Sequence, residues 1–415
     1  MTIEAIIVMP STTPAIKVNS VRQRGATVIL HGDAFDQAAQ HAKELQKEHG
    51  YTFVHPYDDP EVIAGQGTIG LEILRQVSKK PDYIFIPVGG GGLIAGVATI
   101  IKYLQPEIKI IGVESADSAC LTEALKHDER VVLDKVGIFA DGVAVAQIGE
   151  NTWELCRQHV DEMITVSTDE ICAAIKDLYD DTRSITEPAG ALSLAGLKKY
   201  VSQNKLQGQE LVTISSGANI NFDRLRHISE RTEIGEQREA ILAVTIPERR
   251  GSFKTFCDSL EKHNITEFNY RHSSKNEANL FVGLQMEAGA EDRQTLIKNL
   301  ETHGFSVADL TESEVAKIHI RHMVGGHAQG LKDERLYLFE FPEKPGALLK
   351  FLDSLGSQWN ITMFHYRNHG AAFGRVLTGM EVPDEDLNKV VNFFDNLGYT
   401  YWEDTDNPAY QLFLK

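Results

Sequence analysis

Short apolar runs closed by turn residues alternate, along the first half of the chain, with longer stretches that keep their apolar residues on one helical face. Ala5-Ile6-Ile7-Val8-Met9 stops at Pro10, and Ala26-Thr27-Val28-Ile29-Leu30 stops at Gly32-Asp33. Phe35, Ala38, Ala39, Ala42 and Leu45 then share a helical face as far as Gly50, with Asp33 placed to cap it. Tyr51 to His55 is again strand-like, and Thr68 to Val77 predicts a helix. The apolar run Tyr83 to Val88 meets four glycines, Gly89 to Gly92, before a helix over Leu93 to Leu104, and Ile108 to Glu114 predicts the next strand. Met163 to Val166 precedes a capping box, Ser167-Thr168-Asp169-Glu170, and a helix through Leu178. Glu187-Pro188-Ala189-Gly190-Ala191 opens another helix with an early proline, and the strand Glu210 to Ser215 leads into Ser216-Gly217-Ala218-Asn219. Regular strand-helix alternation predicts an α/β fold with a largely parallel sheet.

The pattern changes near Gly235-Glu236-Gln237-Arg238, and beyond it the chain repeats itself. Ala243 to Glu248 matches Leu338 to Glu343, while Gly251, Phe256 and Leu260 match Gly346, Phe351 and Leu355 at the same offset of 95. After a one-residue insertion, Asn264-Ile265-Thr266-Glu267-Phe268-Asn269-Tyr270-Arg271 matches Asn360-Ile361-Thr362-Met363-Phe364-His365-Tyr366-Arg367. The repeat is a duplicated module, and each copy reads strand, helix, strand, strand, helix, strand, the ferredoxin-like order. Gly325 to Gly330 is the expected linker between copies.

Charge narrows the classes of partner. With 41 Lys+Arg against 59 Asp+Glu, nucleic acid and anionic membrane surfaces are excluded as natural partners. Cys120, Cys156, Cys172 and Cys257 are widely spaced and form no CxxC or Cys/His pair, so free thiols in a cytoplasmic protein are expected and no metal site. Met1-Thr2-Ile3-Glu4 lacks the features of a signal peptide. Tyr83 to Leu104 is long enough to span a bilayer, but its five glycines and Pro87 fit a strand, loop and buried helix better.

The glycine loop is the candidate chemistry. Residues without Cβ let backbone N–H groups converge, and the following helix turns its positive end towards them, which suits a phosphate. Two phosphates compete for it. Gly90-Gly91-Gly92-Leu93-Ile94-Ala95 satisfies G-x-G-x-x-A after a strand, and Glu114 at the end of the next strand could hold a ribose hydroxyl, as in a dinucleotide site. Alternatively the loop holds the single phosphate of pyridoxal phosphate, and Ser216 at another strand end partners the pyridine nitrogen.

The ordered set Ile7-Val8-Met9-Pro10, Ala64-Gly65-Gln66-Gly67-Thr68, Gly89-Gly90-Gly91-Gly92-Leu93, Glu187-Pro188-Ala189-Gly190-Ala191 and Ser216-Gly217-Ala218-Asn219 resembles the biosynthetic threonine dehydratases (threonine ammonia-lyases). These are fold-type-II pyridoxal-phosphate enzymes related to tryptophan synthase β, and the resemblance extends over essentially the whole chain, including a pair of ACT-like regulatory modules. It implies residues 1–235 as a catalytic region that is incomplete at its N-terminus (1–55 being a remnant of the small domain), with ACT-like modules over 239–315 and 333–408. It further implies that Gly89, Gly90, Gly91, Gly92 and Leu93 hold the cofactor phosphate and that Ser216 faces the pyridine nitrogen, which leaves the ring unprotonated. The reaction implied is L-threonine to 2-oxobutanoate and ammonia, the entry to isoleucine, with isoleucine and valine as effectors and a homotetrameric assembly. Glu114 resembles a metal-linked acid of the racemase branch, but a surface acid at a strand end is expected of it.

The resemblance also marks what these residues lack. The family's catalytic lysine stands in a Ser-Phe-Lys-x-Arg-Gly-like segment, followed by an asparagine loop of Ser-x-Gly-Asn-His type, and neither motif occurs ahead of the glycine loop. Ser252-Phe253-Lys254 spells the start of the first but lies in the first repeat, where Lys254 aligns with Leu349; Lys17 stands in no matching motif. No catalytic residue is therefore assigned, and an inactive, truncated or mis-started form is expected. The alternatives left open are a related enzyme acting on serine, an NAD-dependent dehydrogenase, and a non-catalytic amino-acid sensor.

Overall fold

In the computed structural model of the chain, the residues described are 3–414 except 12, 14, 33–34, 138, 223, 261–262, 273–275, 288, 324, 329, 343–346, 356–357 and 368–372. Asp33, Gln329, Glu343 and Gly346, named above, lie outside them. The chain divides into two compact units, Met1–Gly235 and Glu236–Lys415.

The first unit begins with β1 (Ile6–Met9), α1 (Ala15–Gln23), β2 (Thr27–Leu30) and α2 (Phe35–His49). β1 and β2 pair in parallel in a two-stranded sheet, and Ile6, Ile7 and Leu30 on it are exposed. Residues 51–55 form no strand, against the sequence expectation. They run instead into a turn in which His55 Nδ1 accepts from the N–H of Asp58 at 2.8 Å. α3 (Pro60–Gln76) starts well before Thr68, because Asp59 Oδ1 accepts from Glu61 and Val62 N–H and Pro60 takes the first helical position.

Next come β3 (Tyr83–Pro87), α4 (Gly92–Leu104), β4 (Lys109–Ser115), α5 (Cys120–His127), α6 (Glu150–His159) and β5 (Glu162–Val166). The unit closes with α7 (Thr168–Thr182), α8 (Pro188–Asn204), β6 (Leu211–Thr213) and α9 (Arg224–Gly235). The capping box at Ser167 and Glu170 is formed. The four strands make one parallel sheet in the order β5-β4-β3-β6. Period-two geometry sends Ile84 and Ile86 of β3 to one face, with Ile94 and Ile101, and Phe85 to the other, with Leu192 and Tyr200. Burial on both faces explains why β3 and β4 read as near-continuous apolar runs.

α3 lies against α4 at backbone contact: a Cβ on Gly96 would sit 2.3 Å from the Ile63 carbonyl oxygen and 2.6 Å from the Gly67 nitrogen.

The second unit contains β7 (Glu239–Pro247), α10 (Ser252–Ser259), β8 (Ile265–Arg271), β9 (Glu277–Gln285), α11 (Gly289–Thr302), β10 (Ser306–Asp309) and α12 (Glu314–Ile318). The second copy follows as β11 (Glu334–Pro342), α13 (Ala347–Leu355), β12 (Asn360–Arg367), β13 (Phe373–Glu381), α14 (Leu387–Leu397) and β14 (Thr400–Glu403), with α15 (Pro408–Phe413) at the end. All eight strands form one antiparallel sheet, β10-β7-β9-β8-β12-β13-β11-β14. The copies join through β8 and β12, which set Phe364 opposite Tyr270 and Tyr366 opposite Phe268. All four rings are buried, so these repeated aromatics are core at the junction of the copies.

The duplication extends to a buried polar device. Each copy has a bulge at equivalent places, between Ile265 and Glu267 and between Ile361 and Met363. The extra residue, Thr266 or Thr362, donates its hydroxyl to Glu239 or Glu334. Gly283 and Gly379 make the room for those bonds. Arg321 stands 3.5 Å from Glu239, and Arg271 is ion-paired with Glu334. Among the described residues no helix is long and apolar enough to cross a membrane.

Gly96→Ala is expected to destabilise the first unit by about 1–3 kcal/mol, since two backbones must separate. Gly65→Ala, at an exposed helical site with nothing within 4 Å of the new methyl, is expected to stabilise it by about 0.5–1 kcal/mol. Thermal unfolding of the two variants should move in opposite directions.

Candidate functional site

Strand order makes a crevice before any side chain does. Successive strands β3, β4 and β5 step one way across the sheet, and β6 returns to the other side of β3. The order reverses between β3 and β6, and such a switch point leaves a crevice at the carboxyl ends of the two strands. Gly89–Gly92 follows β3 and Ser216 follows β6, so the two sequence-predicted elements meet at that edge.

The loop is built so that its carbonyls are used and its N–H groups are not. Gly90 O accepts from Thr152 Oγ1 at 2.8 Å and from Gly149 N at 3.3 Å. Gly89 O takes a long bond from Cys120 Sγ (3.5 Å), and Gly91 O accepts from Ala95 N at 2.9 Å within α4. Among the described residues, the N–H groups of Gly89 to Leu93 have no hydrogen-bond partner. Gly91 caps α4 with φ 92°, in the left-handed region where glycine is favoured. A Cβ on Gly90 would meet the Tyr57 ring at 2.4 Å, and one on Gly89 would meet Val143 Cα at 2.9 Å. Five free N–H groups at the positive end of a buried helix form an anion cradle.

Tyr57 is held there by its neighbour. The Asp58 carboxylate accepts from the N–H groups of Glu150, Asn151 and Thr152, capping α6 from a distant part of the chain. The segment after β2 and α2 is thereby pinned over the loop.

Ser216 is exposed, and its hydroxyl donates to the Ala189 carbonyl at 3.3 Å. Beside it the structure gathers residues that carry no role in the sequence reading above. Lys17 Nζ of α1 lies 2.7 Å from Asp141 Oδ2 and 4.0 Å from Glu187 Oε2. Arg224 Nη1 bonds Asp141 Oδ1 at 3.0 Å. Glu187 packs on the residue after Ser216: a Cβ on Gly217 would lie 2.1 Å from Glu187 Oε1. Burial pushes the Glu187 carboxyl up from its ordinary pKa, with Lys17 pulling down, Asp141 pushing up and Arg224 pulling down. The one signal in the sequence was that Glu187 directly precedes the proline of a helix start.

Glu114 corrects an expectation. It is fully buried, where a surface acid was expected. Its carboxylate accepts from the N–H groups of Leu121 and Thr122 (both 2.8 Å) and from the Thr122 hydroxyl, closing the start of α5. Burial raises its pKa against the pull of those donors. With its oxygens so engaged, it has nothing to offer a ribose, which removes the acid that the dinucleotide reading required. Lys254 lies on α10 in the second unit, paired with Asp258 (3.1 Å) and Asp353 (3.0 Å). Among the described residues there is no group of three His, Cys, Asp or Glu suited to a metal ion.

The second unit holds a cleft between α10 and α13 enclosing about 520 Å³ of space, part of it open to solvent. Phe253, Leu352, Leu355 and Ile361 give it an apolar wall, and Glu248, Arg249 and Arg250 give it charges of both signs. Tyr270 also lines it and donates to Glu248 Oε1 at 2.7 Å.

Comparison with known proteins matches residues 1–217 to the pyridoxal-phosphate-dependent enzyme family. Residues 230–320 and 325–414 each match the C-terminal regulatory domain of threonine dehydratase. The chain is 53% identical to L-threonine dehydratase biosynthetic IlvA of Pasteurella multocida over 413 residues, 99% of this chain and 80% of the relative.

The chain belongs to the biosynthetic threonine dehydratase family.

The Escherichia coli member is 52% identical over 412 residues, with the same shares. The processed form of threonine deaminase isoform 2 from Solanum lycopersicum superposes with a TM-score of 0.53 at 50% identity, covering 55% of this chain and 66% of that one, just under two thirds. The fold is thus that of the fold-type-II pyridoxal-phosphate enzymes with ACT-like regulatory modules, and the family's cofactor is pyridoxal phosphate. The residues present fit such a group, since the unpaired N–H groups of Gly89 to Leu93 ask for an anion and the missing Cβ atoms leave their approach clear.

Glu114→Gln keeps the shape but replaces one acceptor by an NH2 facing an N–H. It is expected to cost about 1–3 kcal/mol, read as a fall in urea midpoint at unchanged slope.

Proposed function

We propose that the chain carries the cofactor-phosphate cradle and the regulatory modules of an enzyme that deaminates L-threonine to 2-oxobutanoate and ammonia, the entry step to isoleucine, with pyridoxal phosphate held in the crevice at the β3/β6 edge. The observation that carries this reading is the set of unpartnered N–H groups at the strand-order reversal, beside Ser216. Gly89, Gly90, Gly91, Gly92 and Leu93 would bind the cofactor phosphate, and Ser216 would face the ring nitrogen. When bound, the cofactor supplies the electron-withdrawing ring that makes the substrate α-proton removable. The chain's own part is to bind the phosphate through backbone N–H groups, to orient the ring through Ser216, and to exclude water with Tyr57 and Val143, which pack on the loop.

No residue of this chain is assigned to the proton transfer. Lys254 sits on a helix of the regulatory unit, and Lys17 is engaged with Asp141. We infer that the 415-residue chain binds the cofactor weakly and leaves threonine unconverted. Isoleucine and valine are proposed to occupy the cleft between α10 and α13. An apolar wall for a branched side chain, Glu248 for the ammonium and Arg249 or Arg250 for the carboxylate suit a zwitterion of that shape. Differential affinity of that cleft for two arrangements of the modules would carry the control. A homotetramer and a cytoplasmic setting complete the reading, the latter supported by four buried free cysteines.

Two measurements test it. Titration with pyridoxal phosphate should show saturable binding that Gly91→Val abolishes, and incubation with threonine should release no 2-oxobutanoate; turnover would overturn the inactive reading, and binding of NAD in place of pyridoxal phosphate would overturn the function itself. Isoleucine binding by calorimetry should weaken about 10-fold or more in Glu248→Gln, as expected for losing a charge-assisted contact. Unchanged affinity would remove the cleft from the proposal.

A further inference from the structure

Two carboxylates share one lysine at the Ser216 end of the crevice, and the sharing is unequal. Asp141 is met twice, by Lys17 Nζ at 2.7 Å and by Arg224 Nη1 at 3.0 Å. Glu187 is not. Its side chain is 12% exposed, and its Oε2 is buried with no hydrogen-bond partner among the described residues. Lys17 stands 4.0 Å from that oxygen, beyond hydrogen-bond reach. The backbone meanwhile fixes the residue firmly: Glu187 N–H donates to Gly217 O at 3.2 Å, and Glu187 O accepts from Gly190 N at 2.8 Å. A buried carboxylate oxygen left without a donor is costly, and the cheapest remedy is a proton.

We propose that Glu187 is the proton-holding residue of the crevice, taking up a proton when an anionic guest enters, with Lys17 as the counter-ion that governs when it does so. This rests on the reading of the crevice as a pyridoxal-phosphate site. The charged groups facing Glu187 are Lys17 from α1, Asp141 from the turn Asp141–Val143, and Arg224 from the start of α9. A phosphate in the cradle adds negative charge at the same edge and displaces water. Both changes disfavour the ionised carboxylate further. The carboxyl, already raised by burial in the empty crevice, is raised again, so binding takes up a proton between the two values. In its acid form Oε2 becomes a hydrogen-bond donor while Oε1 stays against Gly217, the residue after Ser216, and Glu187 acts there as a positioning residue. Removing the Lys17 cation raises the carboxyl before any guest arrives, which moves the uptake to higher pH.

The test is calorimetry of pyridoxal phosphate binding to the full chain in buffers of different protonation enthalpy, scanned over about pH 5 to about pH 9. The cofactor's own titration is common to every variant, so the quantity read is the difference between them. Glu187→Gln should bind the cofactor with uptake lower than wild type by up to about one proton at the wild-type maximum. Lys17→Met should retain the uptake with its maximum at higher pH, and it supplies the answer if the glutamine variant does not fold. A purely structural Glu187 would shift affinity in the variants while leaving the proton count unchanged, and equal counts in wild type and Glu187→Gln overturn the proposal. Absence of any cofactor binding by the wild-type chain overturns the underlying function and this inference together.

Discussion

The crevice depends on a backbone that has spent its acceptors and kept its donors. Where β3 ends, the carbonyls of Gly89, Gly90 and Gly91 are taken by Cys120, by Thr152 with Gly149, and by Ala95. The loop's N–H groups are left for a guest. No side chain of the loop takes part, so the absence of Cβ is the specification: Tyr57, Val143, Ile148 and Thr152 occupy the space that a Cβ at positions 89–91 would need. The rest of the first unit can be read as support for that arrangement. α3 presses on α4 at backbone contact, and Asp58 caps α6 so that Thr152 is in place.

Two glutamates show how differently one fold can treat a buried carboxylate. Glu114 is surrounded by donors at the start of α5 and has become a structural cap. Glu187 is held as firmly by its backbone, but one of its oxygens is left without a donor. The first is a closed arrangement with nothing to give a ligand. The second carries an unmet demand at the mouth of a crevice, where a change of charge can be felt.

The regulatory unit solves the same problem twice. Its two copies retain the bulge, the threonine, the buried glutamate and the glycine that makes room for them. The arginine that answers each glutamate comes from an unrelated place: Arg321 follows the first copy, whereas Arg271 reaches Glu334 from across the junction. Arg271 also donates to the carbonyls of Gly326 and Leu414, so one side chain ties the linker and the last helix to the paired strands. The cleft between α10 and α13 exists because β8 and β12 pair edge to edge and bring the two helices together.

Elements whose cause is local follow from the order of residues alone. Apolar runs of the right length became β3 and β4, Ser167 and Glu170 closed their capping box, and the repeat at an offset of 95 declared two βαββαβ modules. The positions of the glycine loop and of Ser216 at strand ends were legible because a Cβ-free turn after a strand, and a hydroxyl at another strand end, are properties of neighbours in the chain. Tyr51–His55 misled because a strand needs a partner, and that segment is held by Asp58 at α6 instead. Glu114 misled because exposure is set by what packs over a strand end. Lys17, Asp141 and Glu187 stand 124 and 46 residues apart in succession. Only the reversal of strand order between β3 and β6 brings such residues to one edge, and only there does an unpaired oxygen acquire meaning, since whether a carboxylate lacks a donor is a property of its surroundings in space.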